Sequence, residues 1–323
     1  MDGTILNYKP KRLYFSNYGK VSTVVFRSGK IYSLTTKDEH GNQFSPIQLE
    51  SAFQEILDLP CGKVSHNIAA LTALKRDQWH DIRKSLDQTL LKKIEHARFC
   101  VTLETQNSES ETSDIKNNQL GITPGNIWFD KSINHIIYPN GQSGANCEHS
   151  PADGAMSGRL FVWMAAVEKY QNNRVTELDN EGKPYQKSSY QPEIKELSIE
   201  TSAVKSEIKT ALIRINHLKT HCHNRAIYLP YGKDWIKSAK FSPDGWFQMC
   251  LQLTFYQLKN YIPKLYESGV ILTYRHGRTE TIRSVSENSI KFCTDPNLKN
   301  LAAGIKDLNF FKKKVSLGQG IVN

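Results

Sequence analysis

The stretch between Ile133 and Tyr170 constrains this chain more than any other. An extended apolar run, Ile133 to Tyr138, leads into Asn146-Cys147-Glu148-His149-Ser150-Pro151-Ala152-Asp153-Gly154, and a helix-like run, Ala155 to Tyr170, leads out. Pro151 and Gly154 interrupt regular structure between the two, so the chain must turn close to its histidine. A neutral imidazole is the side chain best suited to take a proton from a weak acid near pH 7. A carboxylate that fixes the tautomer improves such a base, and Asp153 lies four residues beyond His149. Taken alone, a His-x-x-x-Asp spacing is more often the mark of a surface ion pair.

At 323 residues the chain is long enough for a sizeable core and two domains. Its 39% hydrophobic and 23% charged content is that of an ordinary globular protein. No apolar run approaches a membrane span, Met1-Asp2-Gly3-Thr4 has no signal-peptide shape, and Ile321-Val322-Asn323 is not a Ser-Lys-Leu address. Cys61, Cys100, Cys147, Cys222, Cys250 and Cys293 show no C-x-x-C spacing, which points to free thiols in a reduced compartment. The net charge of +10 suits a polyanionic partner: nucleic acid, a membrane surface or a phosphorylated small molecule. Helix-turn-helix, zinc-finger and RNP patterns are absent, so no nucleic-acid partner is expected.

Along the chain, Val21 to Arg27 and Lys30 to Thr35 read as a hairpin turning at Ser28-Gly29, and Gly41-Asn42 as a further turn. Ser45-Pro46 opens a helix toward Leu57. Helical patterns cover Ala73 to Leu86 and Leu90 to Arg98, before an apolar stretch from Phe99 to Leu103. Glu104 to Asn118 reads as a solvated loop, and Asn172 to Pro192 as the connection between domains. Helix Ser202 to Leu218 and a short strand Arg225 to Leu229 follow. His217, His221, Cys222 and His223 look like a metal cluster, but Leu218 stands where a zinc-protease pattern needs glutamate. No metal is expected there, and His276 reads as structural.

Two further stretches carry chemistry. Lys233 and Lys237, four apart, project from one face of a helical turn, where two ammonium groups can grip phosphate; from the spacing alone a solvated basic face is the more common explanation. Ser242-Pro243-Asp244 then caps a helix to Tyr261 that is apolar on several sides and is expected to be buried in the core. Tyr266, Ser268 and Thr279 supply the neutral hydroxyls that hold a carboxylate in a pocket from which water is excluded, although a Thr-rich strand is also plain sheet.

Together, Trp128-Phe129-Asp130-Lys131, the His149 segment, Gly232-Lys233-x-x-x-Lys237, Ser242-Pro243-Asp244 and Arg278-Thr279-Glu280-Thr281 resemble the choline/carnitine acyltransferase family, in its carnitine branch. An Ala70-Leu71-Thr72 turn and Arg76-x-x-Trp79 fit the same pattern, so the resemblance runs from about Lys20 to about Cys293. Ile127 departs from it, since the family usually has arginine there. The resemblance implies an α/β, two-domain chloramphenicol acetyltransferase-like fold of two similar halves, each a mixed sheet flanked by helices. The halves are expected at 1–190, with the catalytic histidine, and 191–323, with the coenzyme A and carnitine sites.

The resemblance further implies that His149 is the general base, oriented by Asp153, in reversible acyl transfer between acyl-CoA and the carnitine hydroxyl. Lys233, Lys237 and Asp244 hold coenzyme A, and Tyr266, Ser268 and Thr279 hold carnitine. The choline branch has Val-Asp-Asn after the arginine. A hydroxyl at 279 can pair with the carboxylate that carnitine has and choline lacks. Coenzyme A is a co-substrate, with no prosthetic group, and a monomer is expected. The family implies mitochondrion or peroxisome, and the compartment of this chain is left open. The family's Leu-Pro-x-Leu-Pro and Ser-Thr-Ser segments do not occur in this sequence. The expectation is therefore a chain truncated at both ends, divergent from about Thr294, and short of one oxyanion donor worth roughly 10²–10³-fold in turnover. A family member that only binds coenzyme A or a partner is the alternative.

Overall fold

A computed structural model describes residues 21–61, 67–150, 152–170, 190–270 and 279–319. Two compact units emerge: 1–151 with 162–226, and 152–161 with 227–323. The expected division at 190/191 falls inside the first unit, because a strand beyond it joins that unit's sheet.

The first unit is built on β1 (Val21–Arg27) and β2 (Lys30–Thr35), an antiparallel hairpin. Ser28 and Gly29 both take positive φ, 44° and 79°, as the tight primed turn between right-twisted strands requires. With β3 (Phe99–Leu103), β4 (Asn134–Ile137), β5 (Ser143–Asn146) and β6 (Ile194–Glu196) the sheet runs β5-β4-β3-β1-β2-β6. It is mixed: β1, β3 and β4 are parallel, while β2, β5 and β6 run antiparallel to their neighbours.

Both faces are covered, which is why Val24, Val25 and Phe26 of β1 are apolar in succession rather than in alternation. Val24 and Phe26 face a core formed with the 3₁₀ turn Ile68–Ala73, α2 (Arg76–Ser85), α3 (Gln88–His96) and α6 (Lys205–His221). Val25 faces Tyr32, Leu34, Val101 and Leu103, with Ala52 and Ile56 of α1 (Pro46–Asp58). Helix α1 begins as the sequence predicts, with Ser45 and Gln48 forming a reciprocal capping box.

The two tryptophan motifs meet in this core. Trp128 is 1% exposed and packs on Phe26 and edge-on against Trp79 at 5.8 Å. Asp130 accepts from Arg76 Nη1 at 2.5 Å and Trp79 Nε1 at 2.6 Å. Ile127, where the family has arginine, is buried among Ile136 and Tyr138. Buried Lys131 donates to the carbonyls of Ile94 and Glu95, placing a cation at the C-terminal end of α3.

Helix α4 (Glu111–Leu120) occupies most of the segment read as a solvated loop. It buries no residue and so has no apolar period to detect; Ser110 caps it by accepting from Ser113 N. The run Arg225–Leu229 is not a strand, since no ladder pairs it, and Ile227, Tyr228 and Leu229 are exposed.

In the second unit, α7 (Lys233–Ser238), α8 (Pro243–Lys259), α9 (Glu287–Thr294) and α10 (Leu298–Ser316) accompany a two-stranded antiparallel hairpin, β7 (Tyr266–Val270) and β8 (Thr279–Arg283). The expectation of a mixed sheet in each half therefore holds for the first unit, while the second has only this hairpin among the described residues. Its core is Met249, Phe292, Leu301 and Ile305, continued by Ile282, Leu308 and Val315. Helix α8 is not buried all round: Gly245, Met249 and Gln252 face inward, while Phe247, Leu251 and Leu258 are exposed. Helix α5 (Gly154–Tyr170) follows the histidine segment, and the division between units cuts it after Phe161.

Candidate active site

His149 stands in the bend that follows β5 and is exposed. Glu148 closes the bend locally, its Oε2 accepting from Ser150 N at 2.9 Å and from Ser150 Oγ. The strand before it is held from the side by α4. Asn146 Nδ2 donates to Gln119 O at 3.1 Å, and Tyr138 Oη donates to Asn118 Oδ1 at 2.8 Å. Gly144 lies so close that an added Cβ would sit 2.0 Å from Asn118 Oδ1. The helix that the sequence conceals is thus the buttress of the histidine strand.

Asp153 directly precedes α5, and its carbonyl accepts from Met156 N at 3.0 Å in the first helical turn. It is 4% exposed, in contrast to His149. The two residues belong to different compact units, and Pro151 between them lies outside the described residues.

Lys233 and Lys237 are both exposed on α7, one turn apart, while Ile236 points inward. Beside them is an aromatic cluster that spacing did not reveal. Trp235 lies 4.9 Å from Tyr231 and 5.6 Å, edge-on, from Trp246, which also meets Phe241. Trp235 remains about half exposed.

Asp244, in the first turn of α8, forms an ion pair with Lys312 of α10. The same ammonium reaches Glu267 Oε2 at 3.1 Å, and Ser284 Oγ donates to Glu267 Oε1 at 2.6 Å. Burial pushes the Glu267 carboxyl up and the Lys312 ammonium down from their ordinary ranges. Nothing in the run Lys312-Lys313-Lys314 marks its first member as the bridging one.

The hairpin register brings the three hydroxyls to one face. Tyr266 pairs with Arg283, Ser268 with Thr281, and Val270 with Thr279, and alternate residues point the same way. Tyr266 and Ser268 are exposed and Thr279 half-buried. The opposite face carries Glu267, Gly269, Glu280 and Ile282, and packs on α10 through Ile282, Leu308 and Val315. Arg278 and His276 lie outside the described residues. His217 and His221 stack at 4.0 Å, with His221 Nδ1 bonded to the His217 carbonyl. Among the described residues no group of three His, Cys, Asp or Glu could hold a metal ion.

A family model described as choline/carnitine O-acyltransferase matches residues 6–321. The match takes in residues 295–321, among which Leu298–Ser316 form α10. The chain is 32% identical over 267 residues to carnitine O-palmitoyltransferase 1, muscle isoform, of Rattus norvegicus, covering 76% of this chain and 34% of the relative. It is 29% identical over 269 residues to carnitine O-palmitoyltransferase 2, mitochondrial, of Homo sapiens, with 81% and 40% covered. Peroxisomal carnitine O-octanoyltransferase of Mus musculus is 30% identical over 266 residues, with 77% and 42% covered. The chain thus spans well under half the length of these relatives.

Proposed function

The chain belongs to the choline/carnitine O-acyltransferase family, and on that premise we propose that it carries out carnitine O-acyl transfer with His149 as general base. His149 takes the proton of the carnitine hydroxyl. The oxygen attacks the thioester carbonyl carbon of acyl-CoA, the carbon–sulfur bond breaks, and the imidazolium returns its proton to the departing thiolate. No acyl-enzyme forms, and in reverse His149 deprotonates the thiol of coenzyme A. Asp153 orients the imidazole. Lys233 and Lys237 take the nucleotide phosphates, as exposed ammonium groups one turn apart can. Asp244 borders the same substrate.

The observation that carries this reading is the exposed imidazole on a bend whose flanks are fixed by Glu148, Gln119 and Asn118. Such a group can meet a substrate without the fold having to open. The hydroxyl face formed by Tyr266, Ser268 and Thr279 supports carnitine, whose carboxylate those donors can pair with. In a thiol-release assay, His149→Ala is expected to lower transfer by roughly 10²–10⁴-fold, the usual worth of a general base. Acylcarnitine formation at the wild-type rate in that variant ends the assignment.

A further inference from the structure

We propose that Lys312 is a positioning residue, coupling Asp244 on the coenzyme A side to the strand that presents Tyr266 and Ser268 on the carnitine side. The inference rests on the functional reading above and adds a residue to it.

Helix α10 is laid down in close register with the elements that carry both groups. An added Cβ at Gly304 would come within 2.8 Å of Met249 Sδ, on α8. One at Gly269 of β7 would come within 2.7 Å of Val315 Cγ1. Lys312 lies between these two contact points on α10, and its ammonium meets Asp244 of α8 and Glu267 of β7.

Glu267 has a strategic place on its strand. Alternation along β7 sends its side chain to one face and those of its neighbours Tyr266 and Ser268 to the other. A pull on the Glu267 carboxylate is therefore a pull on the backbone that aims the two hydroxyls. The far side of Glu267 is fixed as well: Ser284 Oγ donates to it, and Gln252 Nε2, fully buried on α8, donates to Ser284 O at 2.9 Å. Helix α8 and strand β7 are thus joined twice, through Gln252–Ser284 and through Asp244–Lys312. Only the second link ends on a carboxylate assigned to a substrate. A substrate donor that approaches Asp244 competes for that carboxylate with the ammonium that also holds Glu267, which makes the two subsites interdependent.

The test uses the full chain, with Lys312→Met and Lys312→Arg assayed for acyl transfer. Lys312→Met is expected to raise the KM for acyl-CoA and the KM for carnitine together, each by about tenfold, the worth of one charged hydrogen bond, while kcat stays within about threefold. Lys312→Arg, whose guanidinium can bridge two carboxylates, restores both. A change in only one KM, or failure of arginine to restore the pair, overturns the coupling.

A ligand-free measurement separates this from the functional reading. In amide spectra, Asp244→Asn is expected to shift the Tyr266 and Ser268 signals in the wild-type background and to leave them unmoved in Lys312→Met. Unmoved signals in the wild-type background overturn the proposal, even if Lys312→Met does not fold. Shifted signals in a chain that neither binds coenzyme A nor transfers acyl groups uphold the coupling and refute the functional reading alone.

Discussion

The two units stabilise their buried charges in different ways. In the first, two buried charges are met mainly by backbone: Lys131 donates to two carbonyls at the end of α3, and Glu104 accepts from the amides of Ile122 and Thr123 and the hydroxyl of Thr123. Lys219 likewise donates to the carbonyls of Gly121 and Ile122. In the second, the central ammonium, Lys312, is met by two carboxylates on separate elements. Backbone partners cannot move without unfolding a turn, whereas carboxylates on side chains can exchange partners. The first arrangement suits a rigid platform, and the second a region whose contacts can rearrange.

The largest effects are expected where each unit uses side-chain partners for an aspartate, one against a buried indole and one near the surface. Asp130→Ala leaves the indole N–H of buried Trp79 and the Arg76 guanidinium without their shared acceptor, so about 3 kcal/mol of stability is expected to be lost. Asp244→Ala removes a partly exposed ion pair and is expected to cost at most about 1 kcal/mol in the same denaturant titration. Equal losses would show that the units are held alike.

A smaller effect is expected from packing. Gly304→Ala forces a methyl against Met249 Sδ at 2.8 Å and the Ser289 Cα at 3.3 Å. Because the thioether can shift but the backbone yields less, a loss of about 1–2 kcal/mol is expected. A melt indistinguishable from wild type would show that α10 does not sit in this register.

The smallest effect is in pH dependence. Burial raises the carboxyls of Glu104 and Glu267 above the ordinary value of 4.5. Above that value the folded protein holds protons that the unfolded chain has released, so this share of stability falls as pH rises through the window. Glu104→Gln and Glu267→Gln are each expected to flatten the fall in melting temperature between pH 4.5 and neutrality, one for each unit. An unchanged slope in either variant places that carboxyl in water.

Much of this architecture was legible in the sequence, and what was not has identifiable causes. The β1–β2 hairpin and helix α1 were readable because turn, cap and propensity all agree there, down to Ser28-Gly29 and Ser45-Pro46. Helix α4 was not, because it is held by a cap and by Asn and Ser side chains rather than by an apolar stripe. Residues 225–229 mislead in the opposite sense: strand-forming residues make no strand without a partner.

At the site, the shared face of Tyr266, Ser268 and Thr279 needed only alternation and the register of one hairpin. Lys312 could not have been found that way, because its two partners lie 68 and 45 residues earlier in the chain. Only the packing of α10 brings them together.

Chemical rescue tests the central claim most directly. If His149 is the base, His149→Ala has lost a proton acceptor but kept the substrate sites, since the side chain is exposed and the bend is closed by Glu148 and Ser150. Free imidazole added to that variant, with acyl-CoA and carnitine present, is expected to restore acylcarnitine formation in proportion to its concentration. Wild-type transfer by the variant before any imidazole is added would contradict the account.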